Sequence, residues 1–182
     1  MNYTPVKTTP IKTEHTKSTH SPEVKIRRIT SQEIVFLADF LYEAIFIPER
    51  MARPGREILK IPEIANYIID FGRENDHCLV AESEGSLVAA IWTRIFAQNA
   101  KGFGYVDERT PELSMSVLPG YRGRGIGANL LSSMIDRLKQ LDYEQVSLSV
   151  DLENYAYSLY QKFGFITVAV TEGSATMLKR LR

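Results

Sequence analysis

One stretch constrains this chain more than any other: Leu113-Ser-Met-Ser-Val-Leu-Pro-Gly-Tyr-Arg-Gly-Arg-Gly-Ile-Gly-Ala128. It opens as a strand at Leu113–Leu118, turns at Pro119-Gly120, and runs through glycines at 123, 125 and 127 into a long helical pattern. That pattern, Ile126 to Leu141, places Leu130, Leu131, Met134, Ile135, Leu138 and Leu141 on one face. Alternating glycines let successive backbone N–H groups turn towards one point, with no Cβ to keep a bulky anion away. The helix N-terminus adds about half a positive charge, and Arg122 and Arg124 add full ones. A strand, such a loop and a helix together read as a pyrophosphate cradle.

Two familiar nucleotide templates fit it less well. A P-loop needs Lys-Ser or Lys-Thr after its last glycine, and neither follows here. The dinucleotide fingerprint Gly-x-Gly-x-x-Gly/Ala is met on paper by Gly123, Gly125 and Ala128, with Asp151 as a ribose-binding acid. Pro119 to Arg122 nevertheless separate strand from first glycine where that turn should be tight, and too little chain follows Asp151 to complete the domain. A nicotinamide dinucleotide enzyme therefore ranks behind a third template.

The rest of the chain supplies one α/β domain. Residues 1–22 are Thr, Lys, Pro, His and Ser with almost no large apolar side chain, and are expected to be a disordered polar tail. His15 and His20 within it lack the companions of a metal site, and no metal is expected elsewhere. From residue 23 to 182, Val24–Ile29 alternates as a strand, and Thr30-x-x-Glu33 forms a capping box for a helix ended by Pro48. Pro62 opens a second helix with Ile64, Tyr67, Ile68 and Phe71 inward and Gly72 as its stop. Strands follow at 78–82 and 87–96, then a polar loop at 98–111 and the stretch described above. Val146–Val150 is a strand, 154–163 a short helix, and 165–170 with 175–181 a closing hairpin.

Arg122-x-x-Gly125-x-Gly127 resembles the Arg/Gln-x-x-Gly-x-Gly/Ala signature of the GNAT N-acetyltransferase superfamily. About thirty residues on, Asn154-x-Ala156-x-x-Leu159-Tyr160-x-x-x-Gly164-Phe165 is similar to that family's second hallmark. The resemblance spans Val24 to Arg182. It implies a mixed, mostly antiparallel sheet flanked by helices, with one parallel strand pair splayed apart to admit acetyl-CoA. It further implies that the backbone of Val117, Leu118 and Pro119 pairs with the pantetheine arm, as a ligand added like a strand. By the same resemblance Arg122, Gly123, Arg124, Gly125, Ile126, Gly127 and Ala128 hold the pyrophosphate, and Asn154 bonds the arm from the other side. Tyr160 would protonate the leaving CoA thiolate, with Tyr157 in reserve. Glu112, at the start of the central strand, is the candidate base for the amine; Asp107, Glu108, Glu43 and Glu49 are the other carboxylates considered.

Charge and cysteine count bound the partners. Twenty-two basic against 22 acidic residues give zero net charge, which argues against duplex nucleic acid or an anionic membrane as partner. One cysteine forms no internal disulfide, and the first residues lack signal-peptide order, so a cytoplasmic monomer or homodimer is expected. The balance conceals structure: residues 31–118 sum to −6, which suits a cationic amine acceptor. An acyl-CoA-binding sensor or partner-binding module without turnover is the alternative from a different class.

Overall fold

A computed structural model describes residues 23–48 and 50–182; the tail with His15 and His20, and Glu49, lie outside the described residues. The strands are β1 (Val24–Arg28), β2 (His77–Ser83), β3 (Ser86–Arg94), β4 (Glu112–Val117), β5 (Gln145–Asp151), β6 (Ile166–Thr171) and β7 (Ser174–Arg180). The helices are α1 (Leu37–Ala44), α2 (Pro62–Ala65), α3 (Ile126–Gln140) and α4 (Ala156–Lys162).

Period-two alternation along the strands builds two cores on one sheet. Leu79, Ala81, Ala89, Ile91 and Leu113 point to one face, where α3 and α4 supply Leu130, Leu131, Met134, Leu138 and Tyr160. Cys78, Val80, Ala90 and Trp92 point to the other, under Leu37, Phe40 and Leu41 of α1 and under Tyr67. The strand order is β1-β2-β3-β4-β5-β7-β6. Every neighbouring pair is antiparallel except β4 and β5, which are parallel and meet at one register position, Glu112 opposite Ser147. The Ser147 N–H reaches the Pro111 carbonyl at 3.0 Å, and beyond that point the two strands separate. The expected mixed sheet with a splayed parallel pair is the sheet observed.

Local differences from the sequence reading have identifiable causes. The segment after the capping box begins as a 3-10 helix, Ser31–Phe36, before α1. Glu33 does reach back to the Thr30 N–H at 2.9 Å, but it also binds Arg27, which bridges to Glu82 of β2. The second helix is much shorter than its apolar periodicity suggests, ending at Ala65 and continuing as turns, with Asp70 at φ 49°. The cause is Arg94 at the end of β3. Its Nη1 takes the carbonyls of Asn66 and Ile69, both at 2.7 Å, and so removes acceptors that a continuing helix would use. Its Nε and Nη2 form a fork on Asp76 at 3.0 and 2.6 Å.

Both side chains of that pair are 2% exposed, and each of the three guanidinium nitrogens has an acceptor inside the protein, so residues 66–76 are pinned to the sheet. Truncating one partner leaves the other charge buried and unpaired. Arg94→Ala should therefore lower unfolding stability in urea by about 3–5 kcal/mol. A loss below about 1 kcal/mol would contradict a structural pin.

Candidate functional site

The glycine turn has the geometry its sequence demands. Gly123 and Gly125 sit at φ 74° and 78°, in the left-handed region that disfavours side chains. Space beside Gly120, Gly123 and Gly125 is open, so the turn presents bare backbone to solvent. Asn129 is the first α3 residue to bond back, to the Gly125 carbonyl at 3.1 Å. From Gly123 to Ala128 no backbone N–H finds an acceptor among the described residues. A row of free donors at a helix N-terminus, joined to a positive dipole, is an anion site by construction.

The two arginines are not equivalent. Arg124 lies over the Tyr121 ring at 5.2 Å and makes no ion pair among the described residues. Arg122 is engaged: its Nε donates to the Val117 carbonyl at 2.9 Å and its Nη2 to Glu43 of α1 at 3.1 Å. Its guanidinium thus fixes the end of β4 against α1. The Leu118 N–H pairs with Val88 of β3, so by alternation the N–H groups of Met115 and Val117 face the gap towards β5.

On the β5 side, the Asn154 side-chain oxygen accepts the Ala156 N–H at 2.9 Å and starts α4. Asp151 closes its own turn, its Oδ1 accepting the Glu153 N–H at 2.8 Å. Tyr160 is 6% exposed and packs edge-to-face on Phe165 at 5.7 Å; burial raises its phenol pKa, so it stays protonated. The Tyr157 hydroxyl is tied to Thr167 of β6 at 3.0 Å.

Glu112 stands where β4 and β5 still touch, 3% exposed. The Tyr67 hydroxyl and the Gly104 N–H, at 2.8 Å, both donate to its Oε1, whereas Oε2 is enclosed and has no partner. Burial pushes this carboxyl up to about 7, against the opposing pull of the Tyr67 and Gly104 donors. Ser147 lies opposite, its hydroxyl also enclosed and unpartnered. The β3–β4 loop makes the enclosure. A Cβ on Gly102 would stand 2.2 Å from Oε2, and one on Gly104 would stand 2.4 Å from the backbone of Leu148. Only glycines let this loop lie across the narrow end of the gap.

Among the described residues, the other three carboxylates considered have partners of their own. Asp107 accepts the Arg109 N–H and the Thr110 hydroxyl, Glu108 accepts the Gln98 N–H, and Glu43 pairs with Arg53 and Arg122. Of the acids in residues 31–118, Glu33, Asp39, Glu43, Asp70, Asp76 and Glu82 are held in ion pairs. The cleft beside the gap, about 480 Å³, is lined by Phe46, Ile47, Pro48, Arg50, Glu153 and Tyr155. Arg50 and Glu153 face each other there at 3.6 Å.

Sequence reasoning passed over Tyr67, which looked like one more inward helix position, and Gly102 and Gly104. It also passed over a periodic signal. Glu112, Ser114 and Ser116 of β4, with Ser147 and Ser149 of β5, alternate onto the α1 face, a polar stripe beside the gap.

Comparison with known proteins gives the family and the fold. The family model described as acetyltransferase (GNAT) family matches residues 40–165, more than half of the chain. A mycothiol acetyltransferase of Streptomyces avermitilis is 33% identical over 89 residues, which are 48% of this chain and 26% of that protein. An N-acetyltransferase structure from Staphylococcus aureus Mu50 superposes with a TM-score of 0.63 at 20% identity, covering 88% of this chain and 99% of that one. The structure of yncA from Salmonella typhimurium, with its cofactor acetyl-CoA, gives 0.63 at 19% identity over 88% of this chain and 95% of that one.

The Glu112 environment has a measurable thermodynamic consequence. Its folded carboxyl holds a proton up to about 7, whereas an unfolded glutamate releases it near 4.5, so unfolded chains bind fewer protons in between. This group's contribution is complete below about pH 4.5 and is lost as pH rises through about 7. Urea titrations at pH 5 and pH 8 should show wild type losing on the order of 3 kcal/mol relative to Glu112→Gln. A parallel pH dependence in the two proteins would mean the carboxyl titrates as an ordinary glutamate.

Proposed function

Because the chain belongs to the GNAT acetyltransferase family, we propose that it transfers an acetyl group from acetyl-CoA directly to a primary amine. One observation carries this reading: the gap between β4 and β5 has a row of free N–H groups at its wide end and a carboxyl with raised pKa at its narrow end. The N–H groups from Gly123 to Ala128 suit the pyrophosphate. The N–H groups of Met115 and Val117 suit the pantetheine arm as an added strand. Arg124 supplies a full charge, while Arg122 contributes by holding the end of β4 in place.

An alkyl amine with pKa about 10.4 must lose a proton before it attacks, at a cost of roughly 4–5 kcal/mol at pH 7. Glu112 Oε2, without a partner and on a carboxyl of pKa about 7, is the group to receive that proton, through water because the atom is enclosed. The amine nitrogen then bonds to the thioester carbon, and N–H groups of β4 stabilise the oxyanion. As the C–S bond breaks, the electron pair leaves on sulfur, and Tyr160, kept protonated by burial, returns a proton to it. The polar stripe of Ser114, Ser116, Ser147 and Ser149 marks the α1 face as the acceptor's approach.

A non-catalytic acyl-CoA-binding module is the second reading, favoured by the enclosure of Glu112 and Tyr160. CoA thiol release with a mixed amine panel separates the two: amine-dependent release is expected, and tight acetyl-CoA binding without it would favour the module. Tyr160→Phe should lower turnover on the order of 10²-fold with little change in acetyl-CoA affinity. An unchanged turnover across pH would remove the acid role.

A further inference from the structure

We infer that Tyr67 is a positioning residue for Glu112: it fixes Oε1 of the carboxyl and thereby presents Oε2 as the atom that takes the amine proton. The inference rests on the reading of Glu112 as the base and adds the device that aims it.

Four contacts make Tyr67 rigid. Its ring meets Phe96 edge-to-face at 4.9 Å and stacks on Phe103 at 6.1 Å. Its hydroxyl is used in both senses, accepting the Phe103 N–H at 2.7 Å while donating to Glu112 Oε1. With the acceptor side of the oxygen occupied by a backbone donor, the phenolic hydrogen has one remaining direction, towards the carboxyl. The Gly104 N–H occupies the same Oε1, so both fixed donors converge on one oxygen and neither serves the other. Tyr67 is in turn held by its own segment, because Arg94 grips the carbonyls of Asn66 and Ile69 on either side of it.

The charges around the carboxyl leave this role to Tyr67. Arg94 is the cross-strand neighbour of Glu112 on β3, but its guanidinium is spent on Asp76 and the two carbonyls. Ser147 on β5 is neutral, and the β3–β4 loop contributes only backbone at Gly102, Phe103 and Gly104 with the ring of Phe96. Phe40 of α1 approaches the same face through its carbonyl, bonded to Ser116. Among the described residues, no cation therefore competes with the Tyr67 and Gly104 donors for the carboxylate form.

The experiment follows the Glu112 carboxyl by infrared difference spectroscopy against Glu112→Gln, in the full chain without substrates. Tyr67→Phe removes a donor to the ionised form, so the carboxyl should titrate about one pH unit higher than in wild type. A merely loosened site would admit water and move it down towards ordinary glutamate. An unchanged or lowered titration in folded Tyr67→Phe overturns the inference. Should that variant fail to fold, 3,5-difluorotyrosine at position 67 keeps the ring and sharpens the donor. The carboxyl should then titrate lower, and no change overturns the inference equally.

The rate profile tests the reading beneath it. In Tyr67→Phe the rising limb of kcat/KM should move up with the carboxyl, giving about a fivefold loss at pH 7 and almost none at pH 9. The KM for acetyl-CoA should stay within about twofold of wild type, because Tyr67 stands apart from the glycine turn. If the wild-type limb persists in Glu112→Gln, Glu112 is not the base, and that failure is distinct from an unmoved carboxyl.

Discussion

Everything functional in this fold depends on two parallel strands that stop pairing after one register position. β4 and β5 meet at Glu112 and Ser147 and then diverge, leaving the inward-facing backbone of Met115 and Val117 without strand partners. Unpaired backbone inside a sheet is costly unless something bonds to it. The divergence is maintained from both sides. β3 holds β4 through a full antiparallel ladder, β7 holds β5 through another, and Arg122 ties the far end of β4 to α1. The gap is thus a built feature, and its wide end opens onto the free N–H groups that start α3.

The narrow end is organised by a second set of contacts that begins away from the gap. Arg94 and Asp76 form a buried pair in which each guanidinium nitrogen has an acceptor, and the same arginine holds the carbonyls of Asn66 and Ile69 where the helix gives way to a tight run of turns. That run carries Tyr67, which reaches Glu112 under the Gly102–Gly104 loop. A carboxyl enclosed this way keeps its proton to an unusually high pH, because desolvation outweighs the two donors it has. The cost to stability falls at the pH where the group would act, and this is a common price for a tuned titratable group.

Much of this was legible in the chain itself, and the reasons are local. Glycines at 123 and 125 are demanded by positive φ, and the helix behind them is set by its own apolar periodicity, so neighbouring residues suffice to read both. The strands at β2, β3 and β4 followed from short apolar runs bounded by turn residues, to within two residues. Glu112 could be named from its place at the head of β4, but its enclosure could not, since Tyr67 and Gly104 arrive from distant segments. The truncated α2 was illegible for the same reason: Arg94 overrides a pattern that Ile64, Tyr67, Ile68 and Phe71 satisfy. The contact of Arg122 with Glu43 was illegible too, because Glu43 lies in a distant element.

Residue-resolved amide exchange by NMR, with and without acetyl-CoA, tests most directly whether the donor lies in the gap as an added strand. The account predicts slower exchange at Met115 and Val117 and along Gly123 to Ala128, with β6 and β1 unchanged. Protection confined to other segments, or acetyl-CoA binding that leaves those amides exchanging as before, would contradict it.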